Sequence, residues 1–265
     1  MPGNRNRLCA LVSSLWMIQI KSPEEMAVMA KACRIVAETL QELGKMAAPG
    51  VTTAQLEKAA ERMIAERGGK AAFKGYRGYP ASLCASVNDQ VVHGIPSGRK
   101  LREGDLLSLD LGVLYEGFYG DAAITVAVGR VSGEARRLMK TAEESLYLGI
   151  ERAIEGNRVS DISHAIQKHV EAAGFSVVRS FVGHGIGRML HEEPQVPNFG
   201  QPGKGARLLR GMALAIEPMV NAGSWQVDVL EDGWTAVTAD GGLSAHFEHT
   251  VLVTGGAPEI LTKAA

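Results

Sequence analysis

Two kinds of apolar run divide the chain. Long segments that mix hydrophobic and charged positions read as helices, and shorter runs that are apolar almost throughout read as strands. Helices are expected in "KSPEEMAVMAKACRIVAETLQELGKMAAPG", "TTAQLEKAAERMIAERGG", "EARRLMKTAEESLYLGIERAIEG" and "VSDISHAIQKHVEAAG". Ser22 caps the first, with Pro23 in its first turn and Glu25 at capping-box spacing; Thr52 and Gln55 repeat that spacing in the second. Pro49-Gly50 and Gly68-Gly69 end these two segments, and Gly174 closes the last. Strands are expected in "DLLSLDLGV", "YGDAAITVAV", "GMALAIEPMV" and "SAHFEHTVLVT". Each of these runs carries an acid inside it: Asp110, Asp121, Glu217 and Glu248.

The order helix, helix, loop, strands occurs twice. "VTTAQL" starts at Val51 and "VSDISH" at Val159, 108 positions later; Asp110 and Glu217 close corresponding strands 107 positions apart. "HGIP" at His93 and "HGIG" at His184 echo each other at a different offset. The pattern reads as an internal duplication, which gives an α+β domain of pseudo-twofold design with both strand pairs around one centre. The halves run over about 22–130 and 133–255. Every Gly/Pro cluster lies inside a repeat unit, so residues 17–265 read as a single domain.

The acids are the anomaly. Aspartate is a poor strand residue and costly to bury. If the first two strands form a hairpin with its turn between Tyr115 and Glu116, Asp110 faces Asp121 within a residue of register, with Gly117 available for a positive φ. Two carboxylates opposed in that way repel by roughly 3 kcal/mol at an effective dielectric of 20. One of them protonates, or a cation bridges them. Four such acids, together with His184 in a glycine-flanked loop, favour the cation. An oxygen-rich set with one imidazole suits a two-metal centre of Mn²⁺, Fe²⁺, Co²⁺ or Zn²⁺ better than a sulfur-bound structural zinc.

Composition adds exclusions. The 265 residues are 46% hydrophobic and 22% charged, with a formal net charge of −1, so neither a nucleic-acid footprint nor a membrane-binding patch is expected. Cys9, Cys33 and Cys84 have no paired spacing and read as reduced thiols of a cytoplasmic protein. The run "LCALVSSLWMI" after Arg5 and Arg7 has no clear cleavage site and is too short to span a bilayer. Residues 1–16 are therefore expected to be a disordered or loosely packed extension, and Met17 offers an internal translation start.

The acids and the histidine stand in the order D, D, H, E, E within "LDLG", "YGDAA", "GHGIG", "AIEPM" and "FEHT". This combination resembles type I methionine aminopeptidases, from about "IKSPEEM" to "VLVT". The resemblance implies the pita-bread fold of the creatinase and aminopeptidase enzymes, an antiparallel sheet covered by helices. It implies two divalent ions, with Asp110 binding one through both oxygens. Asp121 and Glu248 bridge the pair, and His184 and Glu217 complete the other shell. It also implies Glu217 as general base, His191 on the scissile carbonyl, and His93 near the substrate amine and scissile nitrogen. The implied substrates are nascent chains with a small second residue, met by a monomer with transient ribosome contact at most.

A methionine side chain calls for an apolar, polarisable slot. Tyr76, Tyr79, Cys84 and Trp234 match family positions that line or border it. Phe73, Arg77 and Leu190 depart from the pattern of bacterial relatives, where a cysteine, a histidine and an aromatic residue are frequent. His164 and His169 sit at i, i+5 on a helix and are expected to be surface or packing residues; His249 is expected to be structural and His246 to lie beside the site. Two other readings remain: a Xaa-Pro-directed aminopeptidase or prolidase on the same fold, and a non-catalytic binding member of it. The first usually carries an added N-terminal domain, for which there is no room before Ser22, and the second tends to lose ligands and gain basic segments.

Overall fold

The computed structural model describes residues 18–263. The extension expected over 1–16, the start at Met17 and the thiol of Cys9 lie outside them. Four helices are described: α1 (Pro23–Met46), α2 (Thr53–Glu66), α3 (Gly133–Ile150) and α4 (Val159–Ala172). The Ser22 hydroxyl accepts the Glu25 N–H at 3.3 Å and the Glu25 carboxylate accepts the Ser22 N–H at 2.8 Å, so both capping-box bonds form. Thr52 and Gln55 make the same reciprocal pair on α2. α3 ends at Ile150 instead of running on to Gly156. There the Arg152 and Ala153 N–H groups bond three residues back, to Gly149 and Ile150, which tightens the chain and buries Ala153.

Between α2 and α3 lie the strands β1 (Lys70–Ala71), β2 (Cys84–Val87), β3 (Gln90–Val92), β4 (Leu106–Tyr115) and β5 (Phe118–Ala127). After α4 come β6 (Ser176–Val177), β7 (Gly183–Gly185), β8 (Glu192–Val196), β9 (Ala213–Ile216) and β10 (Met219–Asn221). The chain continues through β11 (Val227–Val229), β12 (Ala236–Thr238), β13 (Ser244–His246), β14 (Glu248–Leu252) and β15 (Glu259–Ile260). The main sheet is antiparallel in order β1-β4-β5-β14-β9-β7-β8, with β2 added on β4 and β15 on β14. Strands from early and late in the chain meet where β5 pairs with β14.

Alternation along the strands separates two chemistries. Leu107, Leu109, Leu111, Val113 and Ala122 face α1 and α2, forming one core with Val36, Leu40, Leu43 and Leu56. Leu214, Ile216 and Val251 join Leu138, Leu146, Ile162 and Ile166 of α3 and α4 in another. The positions between them point to the other face, which is left for polar groups. Gly120 permits the close approach of α1: a Cβ there would lie 2.7 Å from the Cys33 backbone nitrogen. The β5–β14 seam is stitched by Thr250, whose hydroxyl donates to the Asp121 carbonyl at 2.7 Å and accepts its N–H at 3.2 Å. Thr125 clasps the His246 backbone in the same way, at 2.7 and 2.9 Å.

The β4–β5 hairpin differs from expectation by one residue. Its turn is Glu116-Gly117, both with positive φ (46° and 87°), so Tyr115 pairs with Phe118 and Asp110 with Ala123. A two-residue loop with both central residues left-handed matches the strand twist, and only Gly117 adopts that conformation freely. Asp121 therefore pairs with Gly112 and stands diagonal to Asp110 on the same face.

A buried ion pair anchors the loop that precedes β8. Lys21 Nζ lies 2.5 Å from Glu192 Oε2, and both side chains are almost fully enclosed. The other Glu192 oxygen accepts the Arg188 and Met189 N–H groups at 2.7 and 3.2 Å. The Lys21 N–H in turn bonds the Gly211 carbonyl. Burial pulls the Lys21 ammonium below its usual range, opposed by Glu192. Two outcomes are expected in urea denaturation. Gly120→Ala forces α1 off β5 and lowers stability by about 2 kcal/mol. Lys21→Met strands a buried carboxylate and lowers it by about 3–5 kcal/mol; a change under about 1 kcal/mol would show that the pair does not anchor this loop.

Candidate metal centre

Four neighbouring strands and the residue that directly follows a fifth, β9, deliver five ligand-type side chains to one face. Asp110 on β4 pairs with Ala123 of β5, and Ala123 pairs with Glu248 of β14, so the two acids share a row with Asp121 two residues away. On β14 and β9 the pairing of His249 with Ile216 brings Glu217 opposite Glu248. His184 on β7 pairs with Ala215, two residues before Glu217. Register alone thus aims all five at one centre. One ligand atom from each of Asp121, His184 and Glu248 lies within 4.8 Å of the others. His184 Nε2 is 3.5 Å from Glu217 Oε1. Asp110 and Glu217 line the same cavity.

Burial raises the pKa of Asp110, Asp121, Glu217 and Glu248, and for the last three their mutual repulsion adds to it. Asp110 Oδ1, Asp121 Oδ1 and Glu248 Oε1 are buried oxygens with no hydrogen-bond partner. Apolar packing does not account for acids left in that condition. A cation does: it neutralises their repulsion and takes up the free lone pairs. The imidazole fits the same role. His184 Nδ1 lies 2.9 Å from the Gly185 carbonyl, an acceptor only, so Nδ1 carries the proton and Nε2 offers its lone pair to the centre. Burial lowers its pKa to about 4, which keeps the ring neutral. These residues form a site for divalent metal built from oxygen and one nitrogen.

A cavity of about 140 Å³ is lined by the four acids and His184 together with Phe73, Tyr76, Tyr79, Cys84, Leu190 and Trp234. That volume is comparable with one known to hold a benzene-sized group, so it takes a single apolar side chain. Tyr79 and Trp234 meet edge to face at 5.2 Å. The Tyr79 hydroxyl lies 3.1 Å from the Gly94 carbonyl, and its ring is almost wholly buried. Cys84 pairs with Asp110 across β2 and β4, and burial pushes its thiol well up.

His191 and His93 flank the centre. The His191 ring lies 4.1 Å from that of His184 and stacks on Tyr76 at 5.2 Å. Burial, then the neighbouring His184 and Arg77, lowers its pKa to about 3. His93 has a left-handed φ of 61°, uncommon for a residue with a side chain, and so projects its ring from the β3 loop into the cavity. Its edge meets Phe181 at 5.3 Å, and burial lowers its pKa.

The structure thus brings every sequence-named ligand, both flanking histidines and all four pocket residues to one cavity. Phe73, Arg77 and Leu190, singled out only as departures, line it too. His246 is fully buried, with its unpartnered Nε2 3.9 Å from Glu217 Oε2. His249 lies on the helix side of β14 and bonds Thr262 at 2.9 Å. His169 meets Glu144 on the surface at 3.2 Å, and His164 lines a shallow depression over α4. Phe181 escaped sequence reasoning; its one signal was an aromatic residue three positions before His184.

The model of the metallopeptidase family M24 matches residues 27–255. The methionine aminopeptidase of Clostridium perfringens is 55% identical over 246 residues, covering 93% of this chain and 99% of that protein. The crystal structure of methionine aminopeptidase from Thermotoga maritima matches with a TM-score of 0.92 and 50% identity, over 93% of this chain and 100% of that one. The prolidase from Pyrococcus horikoshii shares the fold alone, with a TM-score of 0.76 and 22% identity over 64% of its length. With its antiparallel sheet, flanking helices and acid-lined centre, the chain belongs to metallopeptidase family M24 and, within it, to the pita-bread methionine aminopeptidases.

Proposed function

We propose that the protein removes the initiator methionine from nascent chains, with two divalent ions held by Asp110, Asp121, His184, Glu217 and Glu248. The observation that carries this is a single-residue apolar cavity opening directly onto four converging acids. Co²⁺, Mn²⁺, Fe²⁺ and Zn²⁺ all suit the ligand set. When bound, such ions acidify water and polarise a carbonyl oxygen.

The protein's own groups do the rest. The tyrosines, Cys84 and Trp234 seat the methionine side chain and exclude water around it. Glu217 holds the proton taken from the attacking water and passes it to the departing amine nitrogen. The His246 ring, 3.9 Å from the second Glu217 oxygen, limits how that carboxylate turns. Burial lowers the His246 pKa to about 3, so the ring stays neutral beside Glu217. His191 is neutral for the same reason and donates a hydrogen bond to the scissile carbonyl oxygen as charge develops there. His93 borders the substrate amine. A small second residue is preferred, in line with His93 and His191 both lining the cavity beside the acids. The enzyme acts as a cytoplasmic monomer that meets ribosomes transiently. Among the described residues no helix is long and apolar enough to cross a membrane.

Release of free methionine from Met-Ala-Ser is the direct test. Metal-stripped protein is expected to lose it and to regain it with added divalent ion; activity unchanged by chelation would refute the metal reading. The same addition should raise the unfolding temperature, since the ion binds only the folded cluster of acids. Glu217→Gln is expected to lower kcat by about 10²–10⁴-fold while the protein stays folded; full activity would remove Glu217 from its role. Xaa-Pro dipeptides should be cleaved far more slowly, and the opposite preference would favour the prolidase alternative.

A further inference from the structure

Arg77 is the one part of the cavity wall that neither the metal chemistry nor the methionine slot uses. It sits in the short turn Tyr76–Gly78 with φ 50° and ψ 20°, a left-handed conformation that disfavours any residue with a side chain. Glycines occupy the left-handed positions on both sides of it, Gly75 and Gly78. A glycine would sit at position 77 without strain, yet the chain holds an arginine there. The side chain is exposed, makes no ion pair among the described residues, and lies over the Tyr76 ring at 5.4 Å. Tyr76 in turn stacks on His191, so its ring contacts both the guanidinium and the imidazole.

Arg77 also borders a second, open groove of about 610 Å³ that shares Tyr76, His184, Leu190 and His191 with the metal cavity. Any peptide that places its first bond beside His191 has the groove as a continuation. The two stacking distances put the guanidinium no more than about three residues of extended chain from His191. The other charges of the groove are spoken for or set apart. Arg188 is paired with Glu25, and Glu192 with Lys21. Glu193 lies two residues beyond His191 on β8 and makes no ion pair with Arg77.

From this geometry we infer that Arg77 is a specificity-determining residue that reads an acidic side chain at the third or fourth position of the substrate. The inference rests on the aminopeptidase reading and refines it. An arginine held over an aromatic ring keeps its fork of donors free for a carboxylate. Because the contact is exposed, the expected effect is about two- to fivefold in kcat/KM and weakens with salt.

The test uses free peptides and the full chain: Met-Ala-Ser-Ser and its variants with Glu, Gln or Lys at position three or four. The wild-type protein should prefer Glu to Gln and Gln to Lys at one of these positions, and the spread should shrink at ~0.5 M salt. Arg77→Gln should bring the three rates together, and Arg77→Glu should invert their order. Thermal unfolding of both variants and of Arg77→Gly checks that the fold is kept. Equal rates for all three peptides in the wild type, or an order that survives both substitutions, would overturn the proposal. So would an order abolished by Glu193→Gln but not by Arg77→Gln. Failure to cleave Met-Ala-Ser-Ser itself would instead sink the aminopeptidase reading.

Discussion

Four carboxyl groups share one buried face of the sheet, and their mutual repulsion is the constraint on which the rest of the molecule turns. Diagonal neighbours such as Asp110 and Asp121 stand about 7–8 Å apart. At an effective dielectric of 20 each such pair repels by about 2 kcal/mol. Burial raises the cost of every charge further. Such a cluster is tolerable only if the scaffold is stable without it and a cation completes it. The scaffold meets the first condition by strand alternation. Leu107, Leu109, Leu111 and Val113 seal one side against α1 and α2, so the acids between them displace no apolar packing.

The same constraint explains the seam. The ligands come from strands far apart in the chain, and β5 and β14 must stay in register for Asp121 and Glu248 to meet. Two threonines hold that register. Thr250 clasps the backbone of Asp121, and Thr125 clasps that of His246, in each case with a hydroxyl that both donates and accepts. All four bonds are buried, where a geometric error leaves a polar group unpaired. The Lys21–Glu192 pair does comparable work for the His191 loop, fixing it to the segment that leads into α1.

Chemistry and recognition are built from different materials. The centre uses rigid strand positions, where side-chain direction follows from the pleat. The pocket and groove use loops: the turn around Arg77, the positive-φ residue His93 and the segment before His191. Loop positions change without disturbing the sheet, and Phe73, Arg77 and Leu190, singled out in the sequence for their residue type, line the cavity beside the pocket residues. The acids and His184 share one buried face of the sheet.

Residue types and spacing were enough to reveal the helices, both capping boxes and the five ligand positions, because each is a local signal. A cap needs only its third neighbour, and an acid inside an apolar run is conspicuous wherever it folds. The family resemblance supplied His93, His191 and the pocket residues, which no spacing rule would have chosen. What remained for the tertiary structure was everything that depends on pairing across the chain. It decided the one-residue shift of the β4–β5 turn, the contact of His246 with Glu217, the edge of Phe181 on His93 and the shared groove at Arg77. Strand alternation says which side a residue faces relative to its own neighbours. Only the order β4-β5-β14-β9-β7, set by packing of the helices behind it, says whose faces coincide.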